Sequence, residues 1–199
     1  IDGAVGVINI EKQLPATPQS SFRIASMTKS FTAMAIMKLV ETGQLGLHDP
    51  VSDYIPEMAE MEYPTNDAPT ITVEHLLTMT AGFPEDNPWG DRQLDEPEEM
   101  LRNLIKEGIS FSTTTGHAFE YKVSGEPYQQ YITKNILEPL GMYATYWEVD
   151  DVPENQLVLG YRPETLELEP MLHHGVYGAM GGLITSIDDF SKYVSFHLS

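Results

Sequence analysis

Residues 27–40 are apolar almost all the way round a helix, and a helix without a polar face cannot lie on a surface. The segment predicts a helix from near Ser26 to Glu41, buried in the interior, with Gly43 as its left-handed stop. Everything else in the chain has to be arranged around that helix. One residue conflicts with the pattern: Lys29 falls near the start of the helix, where a charged side chain is out of place. A buried ammonium needs a reason.

The remaining elements read from turn and cap signals. Residues 3–8 are small and β-branched, as in a short buried strand. Thr72 is an N-cap for a helix over 73–80, with Glu74 in its first turn and Gly82 at its end. An acidic helix is expected at about 97–107. Residues 127–137 have apolar positions at helical spacing and close at Pro139 and Gly141. A short apolar piece follows Gly181-Gly182 and leads into a helix at about 187–197. The 199 residues suffice for one domain with its own core. No composition shift, low-complexity tract or repeat marks a boundary.

Thirty acidic residues against 11 basic give a formal charge of −19. Nucleic acid is therefore excluded as a partner, since phosphate binding needs clustered Lys and Arg. The acid concentrates in 85–99, 148–154 and 164–169, as expected for solvated loops and helix faces. There is no cysteine, hence no disulfide and no thiolate metal site. The longest apolar run, 31–40, is interrupted by Thr32 and Lys38 and is too short to span a bilayer. A soluble protein is expected, cytoplasmic or exported with a signal removed; oligomeric state is left open.

Ser-x-x-Lys occurs once, as Ser26-Met27-Thr28-Lys29. Three residues apart on a helix, the two side chains share a face one turn apart. A serine hydroxyl needs a base within hydrogen-bond reach to act as a nucleophile near neutral pH. Lysine serves if burial and neighbouring positive charge bring its pKa down. The free N–H groups at a helix start favour an oxyanion forming beside the serine. The bland alternative is an N-cap serine followed by a solvated lysine.

The wording around this motif resembles the class C β-lactamase family, with its related carboxylesterases, D-amino-acid peptidases and low-molecular-weight penicillin-binding proteins. The resemblance is carried by F-R-I-A-S-M-T-K-S-F-T-A at 22–33, G-Q-L-G-L-H-D-P-V at 43–51 and I-T-V-E-H-L-L-T-M-T-A-G-F at 71–83. It continues in P-W-G-D-R-Q-L at 88–94, L-E-P-L-G-M at 137–142 and G-G-L-I-T-S at 181–186. It implies an acyl-enzyme hydrolase of esters, amides or β-lactams, acting on a small-molecule or peptide substrate without cofactor or metal. Ser26 would be acylated and Lys29 would help deprotonate it. Tyr121, in F-E-Y at 119–121, would be the catalytic phenol. Phe83, Asp86 and Trp89 would border the substrate cleft.

The chain also departs from that pattern. The family's second motif places asparagine two residues after the tyrosine, where Val123 stands here. A whole helix of the family is skipped near 121–122, and the returning strand of the first hairpin near 8–9. The family's third motif lies beyond Ser199. His173-His174-Gly175 is not that motif, because it precedes Gly181-Gly182. With no third ligand at helical or hairpin spacing, these histidines read as surface or loop residues. The expected fold is α+β, β-lactamase/transpeptidase-like and helix-rich, with much of the antiparallel sheet missing, in one incomplete domain over 1–199. The buried face of the Ser26 helix should then be short of packing partners. A partial record of a longer chain explains both jumps better than a truncated relative. The rival to an enzyme is a catalytically silent binding or scaffold protein of the same family.

Overall fold

The computed structural model describes residues 3–63, 65–82, 123–171, 173–175 and 178–199. The central element is α1 (Thr28–Glu41), entered through a 3₁₀ turn at Ala25–Met27. Phe31, Ala35 and Leu39 are fully buried and Ile36 nearly so, while Met37 is half exposed. Helix α1 ends as the sequence predicts, with Gly43 at φ +71° and Gln44 N–H donating to Leu39 O at 2.9 Å. The chain then turns under the helix, burying Leu45, Val51, Ile55 and Met58.

Helix α2 (Val73–Leu77) begins at Thr72, whose hydroxyl accepts from His75 N–H at 3.3 Å. The His75 ring returns a contact to Thr72 N–H at 3.1 Å, so the cap is reciprocal, with histidine in the place usually taken by glutamate. Helix α3 (Tyr128–Ile132) widens into a π-helical segment at Thr133–Leu137, together covering the span the periodicity predicts. Helix α4 (Gly178–Gly181) is short. Helix α5 (Ile187–Leu198) starts at Ser186, whose hydroxyl accepts from Asp189 N–H.

Five short strands are described. Strand β1 (Val7–Asn9) pairs antiparallel with β2 (Leu14–Pro15), so a stub of returning strand does exist. Strand β1 also starts later than residues 3–8 suggested, because Val5 is fully exposed and only Ile8 and Asn9 turn inward. The second sheet has the order β3–β5–β4, all antiparallel, from β3 (Ser21–Arg23), β5 (Ile184–Ser186) and β4 (Thr145–Tyr146). Thr185 lies opposite both Phe22 and Thr145. Residues 156–159 link the two sheets: Val158 N–H donates to Ser21 O and Leu159 N–H to Ile8 O. The α+β class and helix-rich balance stand.

The expected shortage of packing around α1 is not found. Helices α3 and α4 and the π-helical segment lie against it, and Tyr193 of α5 stacks on Phe31 with ring centroids 3.9 Å apart. Helices thus cover the face for which a sheet seemed necessary. Replacing Phe31 by Ala is expected to cost about 3–5 kcal/mol. Met37→Ala on the open side should change stability by less than about 0.5 kcal/mol. Equilibrium urea unfolding of the two variants checks the difference.

Candidate active site

The turn that carries Ser26 is fixed from both ends. Upstream, β3 delivers Ile24, whose N–H donates to Leu183 O at 3.1 Å; Met27 N–H then closes the turn on Ile24 O at 3.1 Å. Downstream, buried Thr28 accepts from Leu183 N–H at 3.3 Å, and Thr32 donates to Ala179 O at 2.7 Å. The Gly178–Leu183 segment is therefore a wall bonded to the turn and to the first turn of α1. Glycine is needed there: a Cβ on Gly182 would come within 2.8 Å of Gly178 Cα, and one on Gly178 within 2.5 Å of His174 Nδ1. A Cβ on Gly181 would meet the Ala25 backbone at 3.5 Å.

Ala25, just before the serine, sits at φ +46°, a left-handed conformation that costs an L-residue roughly 1–2 kcal/mol. The surrounding bonds hold it there. The result is that Ser26 is exposed at the head of the helix while its neighbours on either side are tied down.

Lys29 Nζ donates to Ser26 Oγ at 2.8 Å. The helical spacing predicted this meeting. Lys29 is half-buried rather than buried, and that burial holds its pKa below the ordinary lysine value; among the described residues no neighbouring cation contributes. A neutral amine in the same place would accept the serine's proton along the same 2.8 Å line.

Of the six residues singled out from sequence, Ser26 and Lys29 are brought together. Tyr121, Phe83, Asp86 and Trp89 lie outside the described residues, as does the helix expected at 97–107. Val123, in the place of the asparagine, packs against the hydrophobic core. Of the reading of both histidines as surface or loop residues, the loop holds for both and the surface fails for one. His174 is only 4% exposed, because its ring fills the space beside Gly178 and Gly182 and meets Trp147 edge-on. Nothing in the spacing of His173-His174 announces that, since the glycines that receive the ring come later. Among the described residues no three His, Asp or Glu side chains are grouped to hold a metal ion, and no helix is long and apolar enough to cross a membrane.

The whole of residues 1–199 matches the family described as Beta-lactamase. The chain belongs to that family, within a superfamily of serine hydrolases. Protein flp of Staphylococcus aureus (strain MW2) is 28% identical over 98% of this chain and 42% of its own length. The putative penicillin-binding protein PbpX of Bacillus subtilis is 33% identical over 74% of the chain and 38% of its own length. Among solved structures, the octameric penicillin-binding protein homologue from Pyrococcus abyssi superposes with a TM-score of 0.80 at 32% identity, covering 96% of this chain and 48% of that one. FmtA from Staphylococcus aureus gives 0.79 at 20% identity, covering 96% of this chain and 55% of that one. This β-lactamase-family chain thus spans less than half the length of the curated relatives it matches. The flp alignment runs over 214 positions, more than the 199 residues present, so that relative carries extra residues inside the matched span.

The strain at Ala25 is open to measurement. Ala25→Gly should leave the urea midpoint at or above that of the parent. Ala25→Val should lower stability by about 1–3 kcal/mol, since β-branching makes positive φ worse.

Proposed function

We propose that the chain carries the nucleophile and base of a serine hydrolase that works through an acyl-enzyme on ester, amide or β-lactam bonds. The observation that carries this reading is the 2.8 Å contact between Ser26 Oγ and the desolvated Lys29 Nζ. In the acylation step, Ser26 Oγ attacks the carbonyl carbon while its proton passes to the neutral Lys29 amine. The tetrahedral oxyanion forms beside the N–H groups of the 3₁₀ turn. Collapse breaks the bond to the leaving group, which takes up a proton, and leaves the acyl group on Ser26. Water then attacks the ester and restores the serine. Tyr121 is the residue we assign to hand the proton to the leaving group, and Phe83, Asp86 and Trp89 to border the substrate.

Two of the similar proteins carry penicillin binding in their names, which supports β-lactams among the acyl donors. An ester or peptide remains the better choice for the natural substrate, because the residues in hand are those of acyl transfer in general. A second reading, a silent binding or scaffold member of the family, is favoured by Val123. Its side chain packs against the core, where an asparagine amide would be expected to face substrate.

Hydrolysis of an activated ester separates the readings. Ser26→Ala should abolish turnover, and Lys29→Met should lower it by about 10²–10⁴-fold. In the parent the rate should rise with pH as Lys29 loses its proton, with the limb lying below the ordinary lysine range because burial disfavours the ammonium. Turnover unaffected by Ser26→Ala contradicts the acyl-serine mechanism. Retained β-lactam binding with no covalent adduct and no turnover establishes the silent scaffold.

A further inference from the structure

A group of charged side chains that the acylation step does not use stands behind the wall of the Ser26 turn. Its centre is Glu148, which follows β4 by two residues. One carboxylate oxygen lies 3.0 Å from His174 Nε2, in a contact bent away from a straight hydrogen bond. The other lies 3.1 Å from His173 Nδ1. Arg23, on the strand that leads into Ser26, also feels the Glu148 charge: burial lowers its pKa and the carboxylate opposes that shift.

His174 is the buried member of the group. Its Nδ1 lies 2.7 Å from Gly175 O and its Nε2 faces Glu148, so each ring nitrogen meets an oxygen that only accepts. The ring lies flush against Gly178 and Gly182, and the Tyr128 hydroxyl approaches Gly178 from α3. On its far side the same segment bonds to Ile24 and Thr28 through Leu183. A path of contacts therefore runs from Glu148 through His174 and the Gly178–Leu183 segment to the residues that bracket Ala25 and Ser26.

We propose that Glu148 and His174 are positioning residues for Ser26: their contact fixes the glycine wall against the nucleophile turn, and so sets the alignment of Ser26 Oγ with Lys29 Nζ without touching substrate. This rests on the acyl-serine reading above. Three features carry it. The wall is lined by glycines, so the ring's position is transmitted to backbone rather than absorbed by flexible side chains. The ring is anchored through Nδ1 at Gly175 O and faces the Glu148 carboxylate with Nε2, so it meets fixed groups at both edges. And Glu148 gathers charge from the loop before α4 and from β3, the two segments that frame the turn.

The test uses Glu148→Gln, Glu148→Asp and His174→Gln. Labelling of Ser26 by a fluorophosphonate is followed over time, separating the maximal inactivation rate from the concentration dependence. The amide resonances of Ala25, Ser26 and Gly181 are recorded by NMR in the unreacted proteins. The Gln variants should lose about tenfold or more in maximal rate, since small misplacements of reacting groups are costly. The half-saturating concentration should stay within about twofold, and the three amides should shift. Glu148→Asp should recover part of the rate. Folded Gln variants with the parent's maximal rate and amide positions overturn the proposal. Should His174→Gln fail to fold, Glu148→Gln decides alone, because that side chain is partly exposed and its volume is kept. Should the parent itself not be labelled, the acyl-serine reading fails; moved Ala25 and Ser26 amides then still support the positioning role, and unmoved ones overturn it.

Discussion

The structure depends on the bonding of one short stretch of chain, Gly178–Leu183, to the start of α1. Leu183 accepts from Ile24 N–H and donates to Thr28, and Ala179 accepts from Thr32. These contacts join segments about 150 residues apart in sequence, and they do so at the point where the helix presents Ser26. Buried Thr28 and Thr32 find their partners there, which is what allows polar side chains into the core beside Phe31 and Ala35. Because the wall is mostly backbone, it gives little. The strain at Ala25 is sustained by that rigidity.

Burial has two consequences at this site. The apolar body of α1 draws the helix inward, and with it the first turn, so that Lys29 is partly removed from water. Desolvation disfavours the ammonium, and the Ser26 hydroxyl is placed within reach of it at 2.8 Å. The half-exposed setting suits this, because a fully buried amine would be shut away from substrate. Asp188 and Asp189 stand at the start of α5, where the helix dipole favours them, and Asp189 is paired with Lys192 at 2.6 Å.

Much of this was legible in the sequence because its signals are local. The largely apolar stretch of 27–40 defined α1, Gly43 its end, Thr72 the start of α2, and the three-residue spacing placed Lys29 on Ser26. The features that escaped notice depend on meetings between distant segments. Helices α3, α4 and α5 cover α1 where a sheet seemed to be required, since the stacking of Tyr193 on Phe31 has no signature in either segment alone. The positive φ of Ala25 is imposed by its surroundings, as alanine has no preference for it. His174 looked like a surface residue because loops are usually solvated, yet Gly178 and Gly182 leave a slot that its ring fills. Local patterns thus set the elements, and long-range contacts set the chemistry's surroundings.

The central claim is that Lys29 is held as a base against Ser26, and titration of the lysine side chains by NMR addresses it most directly. With the Nζ and Cε resonances assigned, Lys29 should titrate below the other lysines of the chain, and its resonances should respond when Ser26 is replaced by Ala. Titration of Lys29 together with the solvated lysines, unaltered by loss of the serine hydroxyl, would contradict the account.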